Sequence, residues 1–417
     1  MTQATSSGYL KTLTLCTAIG VLGVAGFNLL MDPFLFYESP RIVGFNYAKP
    51  NMGNFERQIK AYAIERREAK GLIFGASNSD SGLRPRHPGW TATPVYSLAL
   101  GASTMSMSNQ FYRHAADSQQ PEEMVIGLSL SMFNGSRNAD FDSSIMAYLP
   151  DGSPNPDFQP LSQLSTIFSA STFKSSLRAL YRNLTTYRNP SDELVIPVDE
   201  DGYMDPAVFP KNAQTSWRFR FLNNSVAYID RWWAPVDSLS LTDEYGGEST
   251  EIRAFRLMVR DAYKKDITLH LMFSPAHVYL QEILDAIGLY ETTEDLRRTL
   301  MRVNLEEAEL AGKPPFELWD FFGYNTVNTE KVANSIGPEY APEWFWDAGH
   351  YKPELGDRIL NTLFDGTEYE DFGVRLTPGS IEAHLAEQRQ RRRDYRSRNA
   401  EDVEKIRAAA RRKAGLE

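Results

Sequence analysis

One cysteine stands in 417 residues, Cys16, and it lies inside the longest apolar run of the chain. Everything after that run therefore lacks a disulfide, a zinc–thiolate site and a cysteine nucleophile. Histidine is scarce as well. There are six, at positions 87, 114, 270, 277, 350 and 384, with no second histidine at metal-ligand spacing from the candidate at 350. An excess of positive charge is also missing. Forty-four Lys and Arg against 54 Asp and Glu leave a net charge of -10, which argues against a nucleic-acid partner. Glycine (27) and proline (23) are at ordinary levels, so most of the chain is expected to be globular. No internal repeat is present.

The residues that are present allow one large domain or two modest ones, with 42% hydrophobic and 12% aromatic content to fill a core. Thr12 to Met31 carries no charge, with Lys11 before it and Asp32 after it. That is about the length a helix needs to cross a hydrocarbon core of roughly 30 Å. It reads as an uncleaved membrane anchor over residues 1–32, with the chain beyond Asp32 on the outer side. A cleaved secretory signal is the alternative. The run ends in Asn28-Leu-Leu-Met rather than a small-x-small site, which favours the anchor, while Ala25-Gly26 keeps cleavage open. A buried helix of a soluble protein passes the same test. An exported domain without cysteine points to the bacterial periplasm, and so to a single-pass protein of the inner membrane.

Residues 33–70 read as an extended connector followed by an amphipathic helix with Phe55, Ile59, Tyr62 and Ile64 at helical spacing. Short, nearly continuous apolar runs come next, at 71–75, 94–100, 124–130, 267–273 and 316–321. Such runs suit strands buried on both faces of a parallel sheet. Helical stretches at 105–119, 252–264, 278–287 and 294–311 separate them, which predicts an α/β domain over 71–378. Ligands bind such sheets at the carboxyl ends of the strands. Ser77, Gly101, Asn134, the Ser274–His277 stretch and Asp320 all fall there. Residues 135–250 break the alternation and read as an insertion over the strand ends, with a helix near 172–183. Residues 379–417 alternate Arg with acids over a thin apolar face and read as a solvated helix or frayed tail.

Two distant segments carry the chemistry. Gly71-Leu-Ile-Phe-Gly-Ala-Ser77 ends a predicted strand on a turn that presents a serine before Gly82. Trp344-Phe-Trp-Asp347-Ala-Gly-His350-Tyr sets a carboxylate three residues before an imidazole. A serine nucleophile needs a base, and the base needs an orienting acid. Each half also has a plain structural reading. Ser77 suits a helix cap or a phosphate-binding turn, and Asp347–His350 suits a surface pair. Of the other histidines, His270 falls in a predicted strand, His384 in the tail, and His87 and His114 in polar stretches. A metal-dependent phosphodiesterase built on Asp80, Asp347 and His350 is a weaker reading. In the insertion, Arg231, Trp232 and Trp233, with His277 after the fourth strand, are candidates for binding substrate. Packing of the insertion onto the domain explains the aromatics equally.

Gly75-Ala-Ser77 with Gly82-Leu, Gly101 after the second strand, an asparagine after the third, and Asp347-x-x-His350 near the end resemble the blocks of the SGNH (GDSL-like) hydrolase superfamily. The resemblance covers roughly residues 1–135 and 265–365. It implies a flavodoxin-like three-layer α/β/α sandwich, with Ser77 as nucleophile, His350 as base, Asp347 as its orienter, and Gly101 and Asn134 as oxyanion donors. It calls for no cofactor. Two positions depart from the pattern. Ala76 replaces the usual aspartate, and Asn134 lies in Ser131-Met-Phe-Asn134 rather than Gly-x-Asn-Asp, leaving Asn109 as a fallback. An anchor joined to such a domain is similar to the D-alanyl transfer proteins of teichoic acid assembly and to acetyltransferases of exported polysaccharides. Those relatives work beside a membrane-bound O-acyltransferase that supplies the acyl group. The expectation is an acyltransferase or esterase acting on an envelope polysaccharide. The alternative is a non-catalytic glycan-binding or scaffold component of an exopolysaccharide complex.

Overall fold

The computed structural model of the chain describes residues 3–50, 52–135, 143–187, 198–209, 214–233 and 239–416. In chain order the helices are α1 (Gln3–Met31), α2 (Glu56–Ile64), α3 (Ser77–Gly82), α4 (Met105–Gln119), α5 (Gln163–Ile167), α6 (Ala170–Thr185), α7 (Trp217–Tyr228), α8 (Thr250–Lys265), α9 (Val278–Ala286), α10 (Tyr290–Ala311), α11 (Pro353–Asp365), α12 (Ile381–Arg398) and α13 (Ala400–Lys413). The strands are β1 (Gly71–Gly75), β2 (Val95–Ser97), β3 (Glu123–Leu128), β4 (Thr268–Phe273), β5 (Leu318–Asp320), β6 (Phe345–Asp347), β7 (His350–Tyr351) and β8 (Val374–Leu376). They fall into two compact units.

The first unit joins residues 1–66 to 142–147 and 155–198. Its helix α1 contains a 24-residue stretch, Gly8–Met31, long and apolar enough to cross a membrane, with mean hydropathy 1.9. Only its last two turns are packed, against α5 and α6. The stretch read as an extended connector instead folds back around Asp32. That buried carboxylate accepts the N–H groups of Phe36, Tyr37 and Ser39 at 2.8, 3.2 and 3.2 Å. The rings of Phe34, Phe36, Phe55 and Tyr62 gather beyond it.

The second unit is built on a six-stranded sheet in the order β2-β1-β3-β4-β5-β8. The first five strands are parallel, and β8 closes the edge antiparallel to β5. The order 2-1-3-4-5 is that of doubly wound flavodoxin-like sheets, whose ligands sit beyond the carboxyl ends of the strands. Every residue of β1 and β3 is buried. Their runs Leu-Ile-Phe and Met-Val-Ile are apolar throughout because both faces are covered. The sequence located β1 to β5 and helices α4, α8, α9 and α10. It missed β8, which is three residues between glycine and proline, and α7.

Two features of the second unit correct the reading. The insertion is not one segment over the strand ends, since 142–147 and 155–198 belong to the first unit and only the remainder, α7 included, to the second. Nor is the Arg-rich end a solvated tail. Val403, Ile406 and Ala410 of α13 are buried, and α13 packs on α9. Arg396 reaches Glu282 at 2.8 Å and Asp285 at 2.6 Å, and Arg392 reaches Asp285 at 2.7 Å. Burial pushes the Asp285 carboxyl up, but bonds from Arg407 and Arg396 outweigh it and hold the group below its ordinary value. His384, placed in the tail by sequence, is buried with its Nε2 2.9 Å from Asp320. Glu282 also accepts from the buried Tyr324 hydroxyl at 2.8 Å, so its removal costs that bond to a charged group while Arg396 keeps Asp285. Glu282→Ala is therefore expected to lower stability by roughly 1.5–3 kcal/mol, read as an earlier urea midpoint of the full chain in detergent.

Candidate active site

The site starts where β1 runs out. Gly75 takes φ +147, which favours glycine, and Ala76 stays extended before Ser77 opens α3. Close packing fixes α3 from outside. A Cβ on Gly356 of α11 would fall 1.8 Å from the Gly82 carbonyl, and one on Gly82 would fall 2.0 Å from the Tyr351 ring. The other half is a two-stranded hairpin, β6–β7, in which Asp347 and His350 are register partners. The sequence read this stretch as a loop.

Asp347 organises that hairpin. Its Oδ1 accepts the N–H groups of Gly349 (2.9 Å) and His350 (3.1 Å), and His350 Nδ1 lies 2.9 and 3.1 Å from its two oxygens. One carboxylate thus sets both the backbone turn and the ring. With Nδ1 donating to Asp347, the lone pair of Nε2 is left for Ser77, whose Oγ is 2.8 Å away. The nucleophile–base–acid geometry of an activated serine is complete in these three residues.

Sequence reasoning missed two neighbours. The Tyr228 hydroxyl, at the end of α7, is 3.2 Å from His350 Nδ1 and also bonds to Asp347. Burial, reinforced by the charge of Asp347, pushes this phenol well above its ordinary range, so it keeps its proton and donates. For Asp347 itself, burial pushes the carboxyl up. The attraction and hydrogen bond of His350, with those of Gly349 and Tyr228, outweigh burial and hold it below the ordinary value. Phe209 lies with its ring 5.1 Å from that of His350 and stacks on Trp346 at 5.6 Å. No motif marks either residue.

Ser77 and His350 open onto a cleft of about 740 Å³ including its open mouth. Its walls are mostly carbon: Leu128, Leu130, Trp232, Trp233, Phe273, Leu280, Leu284 and Leu296. Ser129, Ser131 and Ser274 supply hydroxyls. Arg297 also lines it, but the guanidinium lies between Phe273 (4.7 Å) and Phe322 (4.9 Å) and is bound by Asp320 at 2.7 and 3.0 Å. Burial pushes Asp320 up, yet Arg297 and His384 together hold it at about 2. Asp320, read as one of the groups facing the cleft, is therefore a structural anion.

The remaining candidates separate. Trp232 and Trp233 line the cleft, whereas Arg231 on the same turn is exposed and does not. Gly101 comes after Leu100, whose N–H bonds to the Gly75 carbonyl, and is outside the cleft lining. Asn134 is fully buried and donates to the Trp232 carbonyl at 3.0 Å, as a buried amide must find an acceptor. It holds the Trp232 turn rather than facing the cleft. Asn78, beside Ser77, does line it, and the first N–H groups of α3 have no carbonyl within their own helix. His277 is a correction. It is wholly buried, caps α9 by accepting from Tyr279 N–H, and has its Nε2 2.9 Å from the Glu330 carbonyl. Asp80 is buried 3.1 Å from Ser97 Oγ, and among the described residues no group of three His, Cys, Asp or Glu is placed to hold a metal ion.

No protein-family model matches this chain, and no curated protein does.

Tyr228→Phe removes a bond to a charged group, worth roughly 1.5–3 kcal/mol. It is expected to slow fluorophosphonate labelling of Ser77 about tenfold or more, and to lower the thermal midpoint by a few degrees, roughly as a loss of that size requires. His277 gives a pH signature. Burial pushes its imidazole down to about 4 in the folded chain, against 6.5 unfolded. Between those values the unfolded chain holds more protons, so stability falls as pH drops through that window. The total is roughly 3 kcal/mol. Burial raises the Glu330 carboxyl to about 7, which acts with the opposite sign over the same window. The readout is therefore the difference in urea midpoint between the wild type and His277→Gln, and a difference that stays constant from pH 7 to 4 contradicts this.

Proposed function

We propose that the chain is a membrane-anchored serine acyltransferase or esterase of the SGNH (GDSL-like) type, facing the bacterial periplasm and acting on an envelope or exported polysaccharide. The observation that carries the reading is the 2.8 Å contact between Ser77 Oγ and His350 Nε2, with Nδ1 of the same ring 2.9 Å from Asp347. The 2-1-3-4-5 strand order supports the fold that the motif resemblance implies. Helix α1 supports the anchor.

Ser77 gives its proton to His350 Nε2 as Oγ attacks the acyl carbonyl. Asp347 steadies the imidazolium that forms, and Tyr228 keeps the carboxylate charged and fixed. The N–H groups of Ser77 and Asn78, at the open start of α3, serve as donors for the tetrahedral oxyanion. His350 then protonates the departing alcohol, and the acyl group stays on Ser77 as an ester. In the second half, His350 takes a proton from a sugar hydroxyl or from water as that oxygen attacks the ester. Ser77 recovers its proton from His350. The carbon-lined cleft, whose one arginine or lysine among the described residues is already bound by Asp320, suits a neutral acyl group. The resemblance adds a membrane-bound O-acyltransferase as the source of that group.

A fluorophosphonate probe is expected to label the wild-type chain and not Ser77→Ala, and p-nitrophenyl acetate turnover to vanish with the label. Asp347→Asn leaves the hairpin but favours the wrong tautomer, and is expected to cost on the order of 10⁴ in turnover. An unlabelled, inactive wild-type chain that binds oligosaccharide overturns the reading in favour of a scaffold.

A further inference from the structure

Helix α6 is turned inside out. The stripe it buries is polar or small: Thr172, Ser176, Ala179 and Asn183. Ser176 Oγ bonds to Asn28 of α1 at 3.0 Å, and Asn183 exchanges bonds of 2.8 and 3.0 Å with the backbone of Ala48. Its apolar stripe faces outward, with Leu177, Tyr181 and Leu184 exposed by 46, 65 and 51%. Ordinary amphipathic helices of water-soluble units do the reverse. Beside this stripe runs a third one, Lys174, Arg178 and Arg182, all exposed and at i, i+4, i+8 spacing. Between Phe158 and Tyr187 the sequence has those three basic side chains and no acid, in a chain of net charge -10.

The position of α6 along α1 is equally specific. Its Phe173 ring meets Phe27 at 5.5 Å, and Asn28 donates to the carbonyls of Ile167 and Ser169 at 2.8 and 3.3 Å. Contact is confined to α1 from about Val24 onward, while Gly8 to Leu22 stays exposed all round. At 1.5 Å per residue, the contacted turns are the last roughly 12 Å of the span. A hydrocarbon core of roughly 30 Å takes about 20 residues of the span, so if α1 crosses the bilayer the Phe27 and Asn28 contacts with α6 lie near the outer acyl–headgroup boundary.

From this placement and charge we infer that α6 lies in the membrane plane, its Leu177–Tyr181–Leu184 face in the acyl boundary and its Lys174–Arg178–Arg182 stripe on anionic lipid headgroups. An apolar face flanked by cations is what such an interface takes up, and the cations suit a negative leaflet. Exposed Leu164 and Phe168, from α5 and its end, continue the apolar surface. The catalytic domain thereby gains a second tether beside the span. The inference rests on α1 being membrane-embedded, not on the chemistry of Ser77.

The test uses nitroxide labels on the full chain reconstituted in vesicles of phosphatidylethanolamine with phosphatidylglycerol. A label on native Cys16 serves as reference. It is expected to be reached by oxygen and shielded from a water-soluble nickel chelate. In a Cys16→Ser background, labels on Leu177→Cys and Leu184→Cys are expected to show the same pattern, and one on Arg178→Cys to lie shallower. Replacing both lipids with phosphatidylcholine is expected to lift all three toward water. Labels at 177 and 184 that the nickel chelate reaches freely overturn the inference, as do labels shielded from both reagents, which indicate a protein cover. Unchanged depth in phosphatidylcholine overturns the assignment to anionic lipid. A water-exposed label on Cys16 removes the anchor itself, leaving serine labelling to be judged separately.

Discussion

The Asp347 carboxylate is the constraint on which the site depends. It is buried, so it carries a desolvation cost that only close donors offset. Two of those donors are the backbone N–H groups of its own turn, one is the imidazole, and one is the phenol of Tyr228. The same atoms that stabilise the charge therefore also dictate the hairpin and the direction of the ring. An aspartate that merely sat near a histidine would leave the ring free to rotate. Here rotation costs the acid its principal partner.

The sheet brings that hairpin to Ser77 through backbone proximity. Gly75 and Gly127 are register partners at the ends of β1 and β3, and a Cβ on either would strike Ser79 Oγ, at 2.3 and 2.0 Å. Removing both side chains lets α3 descend onto the strand ends. On its other flank the helix meets α11 at Gly356, immediately after the Asp347–His350 hairpin. Glycine pairs on both sides thus position the serine, and the apolar cleft opens beside it. Ser77 is held by van der Waals contact, His350 by hydrogen bonds.

The core of this arrangement was legible because it is written in residue type and order. Apolar runs marked β1 to β5 wherever both faces are covered. A strand ending in Gly-Ala-Ser, with Asp-x-x-His far downstream, marked the three side chains that meet at the cleft. What escaped was non-local. Tyr228 sits on a helix with no motif, and its value lies in where that helix docks. Gly101 and Asn134 fall after the expected strands, but Asn134 is committed to the Trp232 carbonyl. The arginines of α12 and α13 looked solvated because their partners, Glu282 and Asp285, lie more than a hundred residues earlier. Charge pattern along a sequence records a helix face, not the acid opposite it.

His384 sits on α12, in the stretch whose composition looks most dispensable, yet its ring bonds Asp320, which in turn holds Arg297 at the cleft wall. The guanidinium stays lodged between Phe273 and Phe322 only while that anion is kept in place. A shortened version ending before α12 would thus lose more than an appendage. It would loosen one side of the cleft beside Ser77, so a trimmed domain is a poor proxy for the whole chain in any binding study.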